Sequence, residues 1–333
     1  MGTGSGLHDH RWHSLPGVSV ADLILDRKGF SLTYEGECLI IRHKELTTRS
    51  LPMRRIGRII CQHGVNIDTK LIGQCQRFGI DFVVLNQRYS EHSFAIHANH
   101  LRQAQRRVAQ YRISTDPELA FNLSKRLVLH KILLSIHCTR SHADKALHQT
   151  LREQWHAAAN AQRLDVLRGH EGIAQRIMFS HWKQQLRPEL GFVRRERRPP
   201  PDPVNAVLSL SATLTHHEAV RQCLVHGLDP WLGFYHTLTP GRQSLACDLM
   251  EPLRPALEQW VVQQFNQGHL DLRHFSTANG GCMMGKQGRE IFYRLWQKNM
   301  TIIQRRLRRY ARLFSRHLQQ IEETPPCSQA GIF

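Results

Sequence analysis

The chain has 333 residues, more than one ordinary core accommodates at roughly 100–200 residues per domain, so two domains are expected. Its 45 Lys and Arg against 27 Asp and Glu leave a formal charge of +18, which points to a polyanionic partner and away from an enzyme of small metabolites. With 41% hydrophobic and 22% charged residues, the composition excludes a wholly disordered chain.

No stretch reaches the roughly 18 apolar residues of a membrane span, and the opening MGTGSGLHDHRWHS lacks the layout of a signal peptide, so a cytoplasmic protein is expected. The eight cysteines form no CxxC pair, so reduced and mostly buried thiols are expected. Histidine abounds, but residues scattered singly among charged neighbours do not by themselves argue for a metal.

In chain order, residues 1–20 read as an N-terminal extension. From Ala21 to about 97 the runs are short and strand-like: DLIL, FSLTY, CLIIR, RIICQ and DFVVL, broken by Gly29, the turn at Glu35–Glu37 and Pro52. Within this β-rich domain Ile67, Leu71, Ile72 and Cys75 recur at helical spacing, which predicts one helix packed on the sheet. From 98 the period changes to that of helices, predicted over 98–113, 117–138, 142–158 and 160–186. The run RRERRPPPDP, Arg194 to Pro203, cannot continue a helix and is expected to be an exposed, extended connection. Helices then resume from about Val204 to 322, and residues 323–333 read as a flexible tail. The expected fold class is therefore α+β: a small, mostly-β N-terminal domain followed by a larger all-α C-terminal domain, 98–322.

Some charged residues stand out against these patterns. In the 160–186 helix, Leu164, Leu167, Ala174 and Met178 form a stripe whose missing member is Glu171. A buried, unpaired carboxylate costs several kcal/mol, so Glu171 needs a cation, a basic partner or a cavity unless the stripe ends there at a solvent-facing edge, the plainer account on pattern alone. HEGIA is not a metalloprotease helix, because Ala174 stands where HExxH requires its second histidine. In QSLACDLMEPLRP, Asp248 and Glu251 share a helix face and could hold a divalent cation, or form an ordinary acidic face with Arg254 as ion-pair partner. His236 closes the aromatic segment GLDPWLGFYH just upstream.

Several arginine groups offer a surface for phosphates. In the last helix Ile303, Leu307, Tyr310, Phe314 and Leu318 form an apolar stripe, and Arg305, Arg309, Arg312 and Arg316 recur on the opposite side. These four could follow a phosphate backbone or form a solvated basic face. Arg102 and Arg106, and the linker run of Arg194, Arg195, Arg197 and Arg198, are two further candidates. Gly280–Lys286, GGCMMGK, fits the start of a phosphate-binding loop, but Gln287 stands where Ser or Thr must hold Mg²⁺, so a hairpin or turn is expected instead.

Taken together, HEGIAQRIMF, RRPPPDPVNAVLSLSATL, GLDPWLGFYH and QSLACDLMEPLRP, in that order and at these spacings, resemble the CRISPR-associated spacer-acquisition integrase family, the universal adaptation endonuclease of CRISPR systems. The resemblance spans roughly residues 20–320. It implies a metal-dependent DNA endonuclease and integrase that acts as a homodimer with a small ferredoxin-like partner and inserts short double-stranded DNA fragments into the CRISPR array. The catalytic and metal-binding residues it implies are Glu171, His236 and Glu251, with Asp248 in support or at a second ion. Asn205 matches the asparagine of a DPxNA motif and reads as structural or site-shaping. SLSATL departs from the family's glycine- and tyrosine-containing turn. Two carboxylates and an imidazole make a mixed oxygen and nitrogen site suited to Mn²⁺ or Mg²⁺. A structure-specific nuclease acting on branched or single-stranded DNA, and a DNA-binding scaffold without catalysis, are the alternatives. Dimerisation is expected through the β-rich domain.

Overall fold

The computed structural model describes residues 21–86, 93–98, 104–139, 144–197, 199–278 and 280–323. The expected N-terminal extension, the tail beyond Glu323, Arg102, Arg198 and Cys327 lie outside them. The chain forms two compact units that divide after Ala98.

The first unit holds β1 (Ala21–Leu25), β2 (Ser31–Glu35), β3 (Cys38–His43), β4 (Leu46–Pro52), β5 (Ile56–Cys61), β6 (Asn66–Ile67), α1 (Thr69–Phe78), β7 (Asp81–Val84) and β8 (Phe94–Ile96). They form two four-stranded sheets, ordered β1-β5-β7-β8 and β4-β3-β2-β6. In the first, β1, β5 and β7 are parallel and β8 is antiparallel to β7. Every residue of central β5 is buried, the pattern of a parallel strand covered on both faces. Even its Arg58 is enclosed, forking onto the Asp22 carboxylate at 3.1 and 2.6 Å. The β2–β3 hairpin turns on Gly36 and Glu37, both with positive φ, the geometry that matches strand twist in a two-residue loop. Asp68 caps α1 by accepting from the Leu71 N–H at 2.6 Å, and Gly79, at φ 70°, ends it. Leu32, Leu39, Met53, Ile59, Leu71 and Ile80 are sealed in one core. β4 differs from the sequence expectation: its side chains are exposed except for Leu51, which packs on the core, and TTRS separates its two leucines, so no apolar alternation marks it.

The second unit holds α2 (Ala104–Thr115), α3 (Pro117–Cys138), α4 (Lys145–Asn160), α5 (Leu164–Gln185), α6 (Pro203–Val225), α7 (Ser244–Met250), α8 (Arg254–Asn266), β9 (Phe275–Ala278), β10 (Gly281–Met284) and α9 (Lys286–Glu323). Asp116 and Asp202 cap α3 and α6, each followed by a proline whose missing N–H costs nothing at a helix start. The expected order, strands then helices, is observed, and the helical unit carries in addition the antiparallel hairpin β9–β10. GGCMMGK supplies the turn at Gly280, strand β10 and the first residue of α9. α9 has 38 residues. At 1.5 Å per residue this is roughly 57 Å of helix. It buries Ile303, Leu307, Phe314 and Leu318, while Arg305, Arg309, Arg312 and Arg316 are exposed. Among the described residues no helix is long and apolar enough to cross a membrane.

Candidate active site

Glu171, His236 and Glu251 come together inside the second unit, from α5, from the loop ahead of α7 and from the 3-10 turn that follows α7. Pro252 and Pro255 break the helix there, so Glu251 sits on a short turn between α7 and α8. Its carboxylate is buried: Oε2 accepts from Lys131 Nζ at 2.7 Å, and Oε1 accepts from Arg254 Nε at 2.6 Å and lies 3.9 Å from His236 Nε2. On α5, Leu167, Ala174 and Met178 are buried as the stripe predicts, and Glu171 between them accepts a hydrogen bond from Lys131. Glu171 is thus no solvent-facing edge: the lysine of α3 is the basic partner that its position demands. Tyr235 Oη stands 3.5 Å from the other Glu171 oxygen. Glu171 and His236 are 19% and 25% exposed, against 6% and 7% for Lys131 and Glu251, so the site opens past the first pair.

His236 is held from behind. Its Nδ1 lies 2.6 Å from Asp248 Oδ1, an oxygen that also accepts the His236 N–H at 3.0 Å. Asp248 Oδ2 accepts the N–H groups of Phe234 and Tyr235 at 2.7 and 3.1 Å. One sealed carboxylate therefore gathers three successive backbone donors and an imidazole, placing its proton on Nδ1 and turning Nε2 toward Glu251. Gly233 permits this approach, since a Cβ there would lie 2.6 Å from Asp248 Oδ2. Asp248 and Glu251 are both buried, not members of a solvated acidic face, and the half-buried Arg254 pairs with Glu251.

The electrostatics follow from enclosure. Burial pushes the Glu251 carboxyl up, but the Arg254 and Lys131 cations outweigh it and hold the group well below the usual carboxylate range. Burial lowers the Lys131 ammonium, and Glu251 and Glu171 more than reverse this. On α8, burial leaves Glu258 raised, although Lys131, Arg254 and the Gln175 amide favour its charge. Burial, with Glu171 next, raises the Tyr235 phenol, which stays neutral.

Asn205 is structural: its Nδ2 donates to the Arg194 carbonyl and Asp202, and its Oδ1 accepts from Arg195 and from the Glu196 N–H. The Arg- and Pro-rich connection is extended, as expected, but it is pinned rather than free, and Cys282 of β10 adds a 2.7 Å backbone hydrogen bond to Pro200. Two of the candidate arginines spend donors on the protein itself. Arg106 donates to the His226 carbonyl at 2.5 Å, and Arg195 to Asn205 and Ser209 at 2.9 and 3.1 Å. Burial, then the charge of Arg197, pushes Arg195 down to about 10. Arg194 is exposed and pairs with Glu196.

Lys131 was not singled out by sequence, although it carries the same signal as Glu171: a charge on the Ser124, Val128, Ile132, Ser135 face of α3. Two carboxylates and one oriented imidazole are a donor set that fits Mn²⁺ or Mg²⁺. As they stand, no three His, Cys, Asp or Glu side chains among the described residues already enclose an ion, and the Lys131 ammonium lies between the two carboxylates.

A strand-rich unit followed by a helical one is a known architecture. In fold the chain is similar to a CAS1 protein from Thermotoga maritima, with TM-score 0.81 and 17% identity over 90% of this chain and 97% of that one. It is also similar to a casposase bound to integration product, with TM-score 0.77 and 17% identity over 90% and 91%. The family model for CRISPR associated protein Cas1 matches residues 23–298, and the chain belongs to that family. A CRISPR-associated endonuclease Cas1 of Thermodesulfovibrio yellowstonii is 32% identical over 289 residues, 84% of this chain and 91% of the relative.

Proposed function

We propose that this protein is a divalent-metal-dependent DNA endonuclease and integrase of CRISPR adaptation, joining short DNA fragments to the CRISPR array. The observation that carries the reading is the meeting of Glu171, Glu251 and an Asp248-oriented His236 at one partly open point in a chain of charge +18. Family membership and the likeness to a casposase bound to integration product support it.

Glu171, Glu251 and His236 Nε2 would hold Mn²⁺ or Mg²⁺. When bound, such an ion supplies Lewis-acid polarisation of the scissile phosphate and charge stabilisation for its transition state. Asp248 has its oxygens occupied by four donors, so its part is to keep the His236 lone pair aimed at the site and not to hold a second ion. Arg254 fixes the Glu251 carboxylate in its charged form. In strand transfer the fragment's 3′-hydroxyl gives up its proton and bonds to phosphorus as the bond to the target strand's 3′-oxygen breaks, and that oxygen takes up a proton to leave as a hydroxyl. One phosphodiester replaces another and no high-energy cofactor is needed. Water as the nucleophile gives endonuclease cleavage at the same site. The protein works as a homodimer with a small ferredoxin-like partner and double-stranded DNA, on the strength of the family resemblance.

The test is transfer of an end-labelled duplex into a supercoiled plasmid carrying a repeat, with the partner, in Mn²⁺ and in EDTA, for wild type and Glu251→Ala. Joining that needs metal and vanishes in the variant, while DNA binding persists, is the expected result. Cleavage of branched DNA without joining would make the protein a structure-specific nuclease. DNA binding with neither reaction in any metal would make it a scaffold.

A further inference from the structure

Lys131 occupies a position that the proposed chemistry leaves unexplained. It is 6% exposed, and its ammonium donates to Glu171 and, at 2.7 Å, to Glu251. The two acids are 251 − 171 = 80 residues apart and belong to separate segments, so nothing local holds them side by side. Two carboxylates in a site of low dielectric repel, and without a cation between them one must protonate or the segments must part. A divalent ion held by the same two acids would need the space that the ammonium fills.

We propose that Lys131 is a resident counter-cation: it assembles Glu171 and Glu251 in the metal-free protein and withdraws from that pair when a divalent ion binds. The inference rests on the metal-site reading above. Withdrawal does not strand the charge. Glu258, a buried acid on α8 whose oxygens are bonded by the Gln175 amide at 3.2 and 2.9 Å, is the acid we assign to receive it. The exchange has two consequences. The carboxylates are apposed before metal arrives, so folding does not depend on the ion. The ion must also compete with the lysine, so its affinity is lower than the three ligands alone would give.

The experiment is calorimetric titration of the full chain with MnCl₂, paired with thermal unfolding in EDTA and in Mn²⁺, for wild type, Lys131→Met, Lys131→Gln and Glu251→Ala. Lys131→Gln keeps hydrogen-bonding capacity toward both acids and guards against loss of the fold. The expected result is Mn²⁺ affinity at least tenfold higher in the lysine variants, with a lower Tm in EDTA and a larger rise on adding Mn²⁺ than in wild type. Affinity unchanged or weakened in those variants, but abolished in Glu251→Ala, overturns the counter-cation proposal alone and leaves the metal site standing. Binding in Glu251→Ala equal to wild type removes the metal from this site and overturns both.

Discussion

Asp248 and His236 are joined twice, side chain to side chain at 2.6 Å and backbone N–H to carboxylate at 3.0 Å, so the residue that presents its Nε2 to the site cannot turn without breaking its own loop. Asp248→Asn keeps the volume but sets an amide NH₂ against N–H donors. Losing such an orienting partner typically weakens a metal site or its activity about 10–100-fold. Asp248→Asn should therefore lose strand transfer by about that factor and also lower the Tm. His236→Ala, which leaves the Asp248–backbone bonds in place, should abolish transfer with little change in Tm. Full activity in Asp248→Asn would show that the loop aims the imidazole unaided.

Gly233 sets the same geometry from the other side. A Cβ would lie 2.6 Å from Asp248 Oδ2 and 2.9 Å from the Ser244 backbone carbonyl carbon, so Gly233→Ala must push the loop off α7. Overpacking of this kind costs about 1–3 kcal/mol. The expected outcome is a lower Tm together with weaker Mn²⁺ binding. Gly73, inside α1 with open space where a Cβ would stand, is the contrast. Gly73→Ala should stabilise by about 0.5–1 kcal/mol, because helical glycine is costly in entropy. A denaturant midpoint that rises for Gly233→Ala would contradict the first assignment, and one that falls for Gly73→Ala the second.

The two variants also mark what sequence reveals and what it hides. Helical period gave α3 and α5 closely, and the proline-rich break before Val204 located the start of α6 but not its end; α3 and α6 each begin at an Asp-Pro cap. The β2–β3 hairpin was legible in its turn, whereas β4, exposed except at Leu51, has no apolar alternation to read. Glu171 broke a stripe visibly, yet pattern alone favoured a solvent edge, because the cation that pairs with it lies 40 residues earlier on another helix. Spacing showed Asp248 and Glu251 on one face and could not show that one faces backbone donors and the other two cations. Arg106 and Arg195 looked like Arg305 or Arg309 in sequence. Only tertiary packing reveals that the first two are spent on carbonyl and amide partners.

Glu258 confers a pH dependence of defined sign. Burial raises its carboxyl above the ordinary value of 4.5, more than Lys131, Arg254 and Gln175 lower it. A group whose folded pKa exceeds its unfolded one favours folding below the unfolded value, and that contribution is lost as pH rises through the folded value. Glu258→Gln is neutral at every pH. Its Tm should exceed wild type's at pH 8, and the gap should close toward pH 4. A gap that widens on acidification would mean that the two cations outweigh burial.

The exposed arginines of α9 set a salt dependence of predictable size. Arg305, Arg309, Arg312 and Arg316 lie on the outer face of a helix whose inner face buries Ile303, Leu307, Phe314 and Leu318. If all four neutralise phosphates, their joint replacement by alanine should reduce the slope of log affinity against log salt by about 3–4, at roughly 0.9 per phosphate contact. Tm should hardly move, since no buried group is lost. Arg195→Ala should do the opposite, lowering Tm through the lost hydrogen bonds to Asn205 and Ser209 while leaving the salt slope near wild type. Fluorescence anisotropy with a labelled duplex from about 50 to 200 mM salt separates the two effects. An unchanged slope in the fourfold variant would make the α9 face a solvated one and shift the DNA path to other cations, Arg194 first among them.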